Sequence, residues 1–415
     1  MGTTSFGIND PRTQKKFAAD LFDQAWSTSR LLPLCGKTDF DIIRLNQDLT
    51  RQAGGSVVFE LPINIAGAGV GDDGDTRNNA QSLTYGNQSV FVHTRATRTE
   101  AAGAWSLQLT SHRGTEAFRT RSRAALAETI KDYQENDLLG SLAGLYNENM
   151  SSSAIETINE VYPSASRIMY LGQEVDATPT LGNSGVSYGT DALLTAGTQT
   201  ANLFGTLVVA RARRMAVMAS PRIRPGRFFQ TPASQERSVQ FPVDQASQGK
   251  LIGDLFVCLA SPYQIESLMS EIGPNGFAAM QQAAAQRGNS NPLFTGGAAL
   301  HRGALIVEWE RIPYRTGAGS TAITEGFLLN GGRTATTDAC ASGRSVARAL
   351  FLGANAGLMA WAMPFGWWEG YEDGNKPFVK TEGLYGCKVS QFNAHGGSSA
   401  GAEEARICID TEIVI

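Results

Sequence analysis

The chain has 415 residues, 42% hydrophobic and 18% charged, which suits a folded protein of two or three domains and excludes general disorder. A net charge of -4 argues against a broad basic face for general nucleic-acid binding. Basic residues are mostly arginine, 27 against eight lysines, a bias expected of fixed ion pairs at interfaces and equally of genome base composition.

Residues 1–54 are polar with scattered apolar anchors and read as an arm. Residues 10–26 fit a short amphipathic helix, with Pro11 at its start and Phe17, Leu21 and Phe22 on one side. Residues 55–100 read as a long β-hairpin with strands at 55–61 (GSVVFEL) and 88–99 (QSVFVHTRATRT). In the second strand Val90, Val92 and Thr94 alternate with Phe91, His93 and Arg95. Between the strands lies a tip rich in glycine and acid, residues 66–79 (AGAGVGDDGDTRNN). A connection of that length is foreign to a compact domain and makes sense on a projecting hairpin that a neighbour buries.

Residues 114–139 predict one long helix with Thr115 as N-cap. Its apolar side, Phe118, Ala125, Ile130 and Leu138, is thin, and its flanks are densely charged. Such a helix needs partners on more than one side. Residues 140–200 are loop-rich, with one strand at 167–171. A helix is predicted over 191–219, ending before Pro221. The apolar run 251–260 predicts a buried strand, followed by a helix that Ser261 caps and Pro262 opens. Residues 304–310 alternate as a strand. Residues 350–363 fit either a buried helix or a strand and turn. The tail reads as a hairpin of 384–392 and 405–415 around a glycine/serine loop at 396–401. The fold class is α+β.

Catalytic and ligand motifs fail on spacing. Residues 35–38 (CGKT) end like a phosphate loop, but Leu31 stands where its first glycine belongs. Asp72, Asp73 and Asp75 begin like a calcium loop, but Arg77 takes the next ligand position. The four histidines lie far apart, and no GxSxG occurs. No catalytic, cofactor-binding or metal residues are therefore assigned, and the chain reads as a non-enzyme. Five dispersed cysteines, Cys35, Cys258, Cys340, Cys387 and Cys408, read as free thiols of a reducing compartment. The start carries no apolar signal region, and no run of 18 apolar residues marks a membrane helix.

Several strings, in order, resemble a tailed-bacteriophage major capsid protein, and more narrowly the N-four podovirus capsid family. They are 36–62 (GKTDFDIIRLNQDLTRQAGGSVVFELP), 65–75 (IAGAGVGDDGD), 90–104 running into the charged helix, 254–268 (DLFVCLASPYQIESL), 291–313 (NPLFTGGAALHRGALIVEWERIP), 347–356 (ARALFLGANA) and 369–388. In the last, Tyr371 is displaced from its usual place, and the loop at 393–405 is longer than usual.

The resemblance implies the Hong Kong ninety-seven-type fold. Its parts would be an N-terminal arm (1–54), an extended β-hairpin loop (55–104), a peripheral domain with the spine helix (105–150), a mainly axial domain with a central mixed sheet (151–355) and a C-terminal return to the peripheral domain (356–415). It implies hexamers and pentamers closing into an icosahedral shell around double-stranded DNA, in a virion assembled in a bacterial cytoplasm. Implied partners are further copies, a separate scaffolding protein, a portal, a cement or decoration protein, and DNA bound without sequence specificity. Asp72, Asp73 and Asp75 at the loop tip, and Arg119 and Arg123 on one flank of the long helix, are the expected subunit-interface residues. The competing readings are a non-catalytic binding or minor structural virion protein, and a hydrolase built on Ser184 or a carboxylate pair.

Overall fold

The computed structural model describes residues 34–47, 49, 54–62, 85–100, 115–144, 167–170, 203–219, 222–229, 251–271, 298–312, 314–315, 346–372, 376–392 and 403–412. The predicted helix at 10–26, the tip at 66–79 and Ser184 lie outside them.

In chain order come β1 (Cys35–Gly36), β2 (Ile43–Asn46), β3 (Ser56–Pro62), β4 (Tyr85–Phe91) and β5 (His93–Glu100), then the long helix α1 (Thr115–Ala143). After β6 (Ile168–Tyr170) follow α2 (Thr206–Met218), β7 (Gly226–Phe229), β8 (Leu251–Ala260) and α3 (Pro262–Met269). The rest are strands: β9 (Ala298–His301), β10 (Ala304–Glu308), β11 (Tyr314–Arg315), β12 (Val346–Leu352), β13 (Gly357–Glu372), β14 (Lys376–Val389), β15 (Gln391–Phe392), β16 (Glu403–Glu404) and β17 (Arg406–Glu412).

Two mixed sheets carry the fold. The first runs β1-β2-β13-β14-β5. Its centre is the long antiparallel pair β13–β14, whose register shifts near Met363. The second runs β6-β17-β12-β8-β10-β9, with β11 beside β12 and β7 beside β8. β8 is central because its side chains from Phe256 to Ala260 are all buried, as an inner strand covered on both faces requires. The β9–β10 connection is the two-residue turn Arg302–Gly303 with φ of 47° and 78°, positive at both positions as the tight hairpin turn demands. α3 carries the Ser261 cap and opening Pro262 expected of its sequence, and Gln264 completes a capping box. The Ser261 hydroxyl accepts from Gln264 N, and the Gln264 side chain accepts from Ser261 N.

α1 joins the sheets. It packs along β14 and touches β12 and β13. Leu126, Ile130, Leu138, Leu139 and Leu142 are buried in a core shared with both sheets. The helix runs four residues past the predicted 139, and those residues supply its best-buried end. Ala125, assigned to the apolar side, is exposed instead.

The structure corrects the sequence reading at three further places. The hairpin of β3 and β4 forms, but the run 88–99 is two strands. At Val92 the chain leaves the hairpin, and β5 pairs with β14 in the first sheet. Of the helix predicted over 191–219, residues 191–202 lie outside the described residues; 203–205 are not helical, as Leu203 bridges in parallel to Glu412 of β17, and the helix begins at Thr206. The predicted terminal hairpin is also wrong: β14 pairs with β13, and β17 enters the second sheet between β12 and β6. Among the described residues, the short strand β15 at the end of the first segment pairs with β16, just before the second. The stretch 350–363 resolves to its strand-and-turn alternative. Asn355 turns the chain at φ 57°, held by donating from Nδ2 to Asp39 O and from its N–H to Asp41 O.

Candidate functional site

Asp72, Asp73 and Asp75 lie outside the described residues. Arg119 lies on α1, but its side chain is outside them too. Arg123, one turn later, is half-buried. What the structure does bring together is a set of interior charges along the C-terminal half of α1, each of which ties the helix to another part of the same chain.

The end of α1 meets two arginines of the second sheet. Arg348 in β12 is 1% exposed and donates through Nε and Nη2 to both oxygens of Asp410 in β17, each at 2.7 Å. Its Nη1 donates to Ala143 O at 2.9 Å. Arg406 of β17 donates to Ser141 O and Leu142 O. The last carbonyls of a helix lack partners and carry its partial negative charge, so two guanidinium groups are well matched to them. The bidentate fork to Asp410 balances the charge that burial would otherwise make costly.

A second group ties α1 to the first sheet. Asp137 accepts from Arg95 Nη2 at 2.6 Å, from Arg95 Nε at 3.1 Å and from the Tyr385 hydroxyl. Burial pushes the Asp137 carboxyl up, against the pull of Arg95 and Tyr385. Arg95 also lies 5.4 Å from the Tyr133 ring centre. Here β5 turns its polar residues inward. His93 and Arg95 are buried while Thr94 and Ala96 are exposed. His93 packs 5.6 Å from the Tyr385 ring, and neither ring nitrogen has a hydrogen-bond partner. Burial, aided by the charge of Arg95, pulls this imidazole down to about 4 and keeps it neutral. On another side of α1, Arg311 pairs with Asp132, with Glu135 at 3.4 Å and with Asn136 at 2.8 Å.

The hairpin has a built root. Val57, Phe59, Val90 and Val92 pack on Leu358 and Ala360 of β13. Gln88 donates to Val389 O at 2.7 Å and accepts from Gln391 N at 2.8 Å. Lys388 reaches Ser89 O, and Arg44 reaches Glu60 O. The crossing over β14 is so close that a Cβ on Gly386 would lie 2.0 Å from Phe91 O. On the opposite face of β3 Val58 is 57% exposed.

Thr38 is occupied in its own turn, donating from N and Oγ1 to Asp41, and β2 follows it rather than a helix. Among the described residues no group of His, Cys, Asp and Glu is placed to hold a metal ion, and no helix is long and apolar enough to cross a membrane. Sequence reasoning missed Arg348, Arg406, Asp410, Asp137 and Arg95. Their signal was an arginine set inside an apolar string, as in ARALFL and RICID.

The sequence model of a family described as phage capsid protein matches residues 5–415. No curated protein matches the chain in sequence. Among solved structures the fold is similar to the capsid of Ralstonia phage GP4, at TM-score 0.63 and 20% identity over 100% of this chain and 99% of that one. It is also similar to the capsid of cyanophage Pam1, at TM-score 0.59 and 18% identity over 93% and 92%. A third match is the capsid of Helicobacter pylori bacteriophage KHP30, at TM-score 0.59 and 13% identity over 93% and 92%.

Proposed function

This chain belongs to the phage capsid protein family and is a major capsid protein; from that premise we propose that its copies close as hexamers and pentamers into an icosahedral shell around double-stranded DNA. The protein is a virion component whose established partner is itself. The observation that carries the finer reading is the way α1 is tied at its C-terminal end to both sheets, while β3 and β4 pair only with each other among the described strands and pack on β13. That arrangement suits a tiling subunit whose hairpin reaches a neighbouring copy.

In the Hong Kong ninety-seven-type scheme α1 is the spine helix, the first sheet belongs to the peripheral domain, the second forms the axial domain, and the hairpin is the extended loop. Within the family the chain is read as an N-four podovirus capsid protein, a reading supported by the strings at 36–62, 254–268 and 291–313. The acidic tip at Asp72, Asp73 and Asp75, with Arg119 and Arg123 on α1, faces adjacent copies. A separate scaffolding protein, a portal and a cement protein complete the particle in the host cytoplasm, and the DNA is held without sequence preference.

Expression of the full chain together with its scaffolding partner, followed by sedimentation and negative-stain microscopy, tests the proposal. Rings and closed shells are the expected products. A discrete monomer under every condition would overturn it.

A further inference from the structure

The outer side of α2 is unusual for a helix facing water. Thr206, Val208, Val209, Ala212 and Ala216 form the buried side. On the opposite side Leu207 is 56% and Met218 78% exposed, with Val217 beside them. Arg214 is exposed on the same side, whereas Arg213, about 100° round the helix, leans towards Gly303 in the β9–β10 turn. Leu207, Arg211, Arg214 and Met218 recur at i, i+4, i+7 and i+11, which is one stripe along the helix. No acid occurs anywhere in residues 192–235, although six arginines do. Three of the six, Arg211, Arg213 and Arg214, lie on α2, so this one helix is basic and free of acids in a chain whose net charge is -4.

The neighbouring helix has the opposite character. α3 exposes Glu266, Met269 and Ser270, with Tyr263 half-buried one turn earlier. The helices meet where Glu271 accepts from Thr206 N at 3.1 Å and from Thr206 Oγ1 at 3.0 Å, closing the N-terminus of α2.

A phosphate backbone would use the arginines but has no use for Leu207, Val217 and Met218. Arginine and methionine together are what protein interfaces gather. A second copy meeting α2 with its own α2 would set arginine against arginine, which like charge opposes. The α3 stripe offers both an acid and an apolar surface. We propose that α2 of one copy docks on α3 of another, with Arg214 facing Glu266 and Leu207 and Met218 of α2 covering Met269. This rests on the capsid reading and names one of its subunit contacts.

Two measurements on the full chain test it, with wild-type particles as the reference for the capsid reading itself. In the first, Arg214→Cys and Glu266→Cys are placed in copies with different affinity tags, mixed during assembly and treated with a short bis-maleimide. A covalent dimer carrying both tags, absent from either variant alone, is expected. Its absence from mixtures that assemble overturns the contact while leaving the capsid reading intact. In the second, Arg214→Glu should lower particle yield about tenfold or more, since opposed like charges cost several kcal/mol. Adding Glu266→Arg should restore it. Failure of that rescue overturns the pairing. Normal yield of particles that carry less DNA overturns it too, and assigns Arg214 to nucleic acid.

Discussion

Removing the guanidinium of Arg348 should be among the most damaging single changes in the second sheet. Arg348→Met keeps the length of the side chain and its apolar stem. It leaves Asp410, 1% exposed, without its fork and Ala143 O without its donor. Breaking one partner out of a buried ion pair costs roughly 3–5 kcal/mol. Losing the bond to Ala143 O adds about 1 kcal/mol. At about 2–4 °C per kcal/mol for a domain of this size, the midpoint should fall by about 10 °C or more. The double variant Arg348→Met with Asp410→Leu removes both charges and should recover more than half of that loss. Thermal unfolding of the full chain, followed by near-UV circular dichroism, measures both. A double variant as unstable as the single one would refute the reasoning, because the loss would then come from packing. So would a single variant within about 1 kcal/mol of the parent.

Acid should weaken the junction of β5 with β14 and α1 through His93. Its imidazole titrates near 6.5 when unfolded and at about 4 in place, so the unfolded chain binds the extra proton between those values. The contribution is intact above about pH 6.5 and is lost as pH falls towards 4, at about 1.4 kcal/mol per pH unit and about 3 kcal/mol in all. Urea titrations across that window should show the slope in the parent and a shallower one in His93→Phe; equal slopes would count against it. Gly386→Ala should shift the hairpin, because the added methyl meets Phe91 O at 2.0 Å. Hydrogen exchange should then quicken over β3 and β4 before β13 is affected, and unchanged exchange would contradict this. The segment 55–100 contains neither lysine nor cysteine, so it can supply no amine for a lysine–asparagine crosslink of the kind some shells of the proposed fold carry, and no thiol. Boiled in detergent and reductant, particles should give one band near 44.3 kDa, and a surviving ladder of multimers would reveal another donor.

The sequence by itself determined the elements whose signal is local. α1 is legible because proline is absent and Thr115 opens it. α3 is legible because Ser261 caps it and Pro262 opens it. β8 follows from an apolar run, and the β3–β4 hairpin from its two β-rich segments. The family resemblance came from strings in order, not from chemistry.

Only the tertiary structure decided which strands pair and where the charges go. The break at Val92 is invisible in the alternation of 88–99, because His93 and Arg95 are buried only where Asp137 and Tyr385 wait for them. The terminal segments look like a local hairpin, yet β17 pairs with β12, whose Arg348 needs Asp410. The charges on α1 suggest neighbouring subunits, yet Asp132, Glu135 and Asp137 are used within the chain. Periodicity records whether a residue is apolar, but a buried charge is allowed by its partner, and that partner lies 62 residues away for Arg348 and 42 for Arg95.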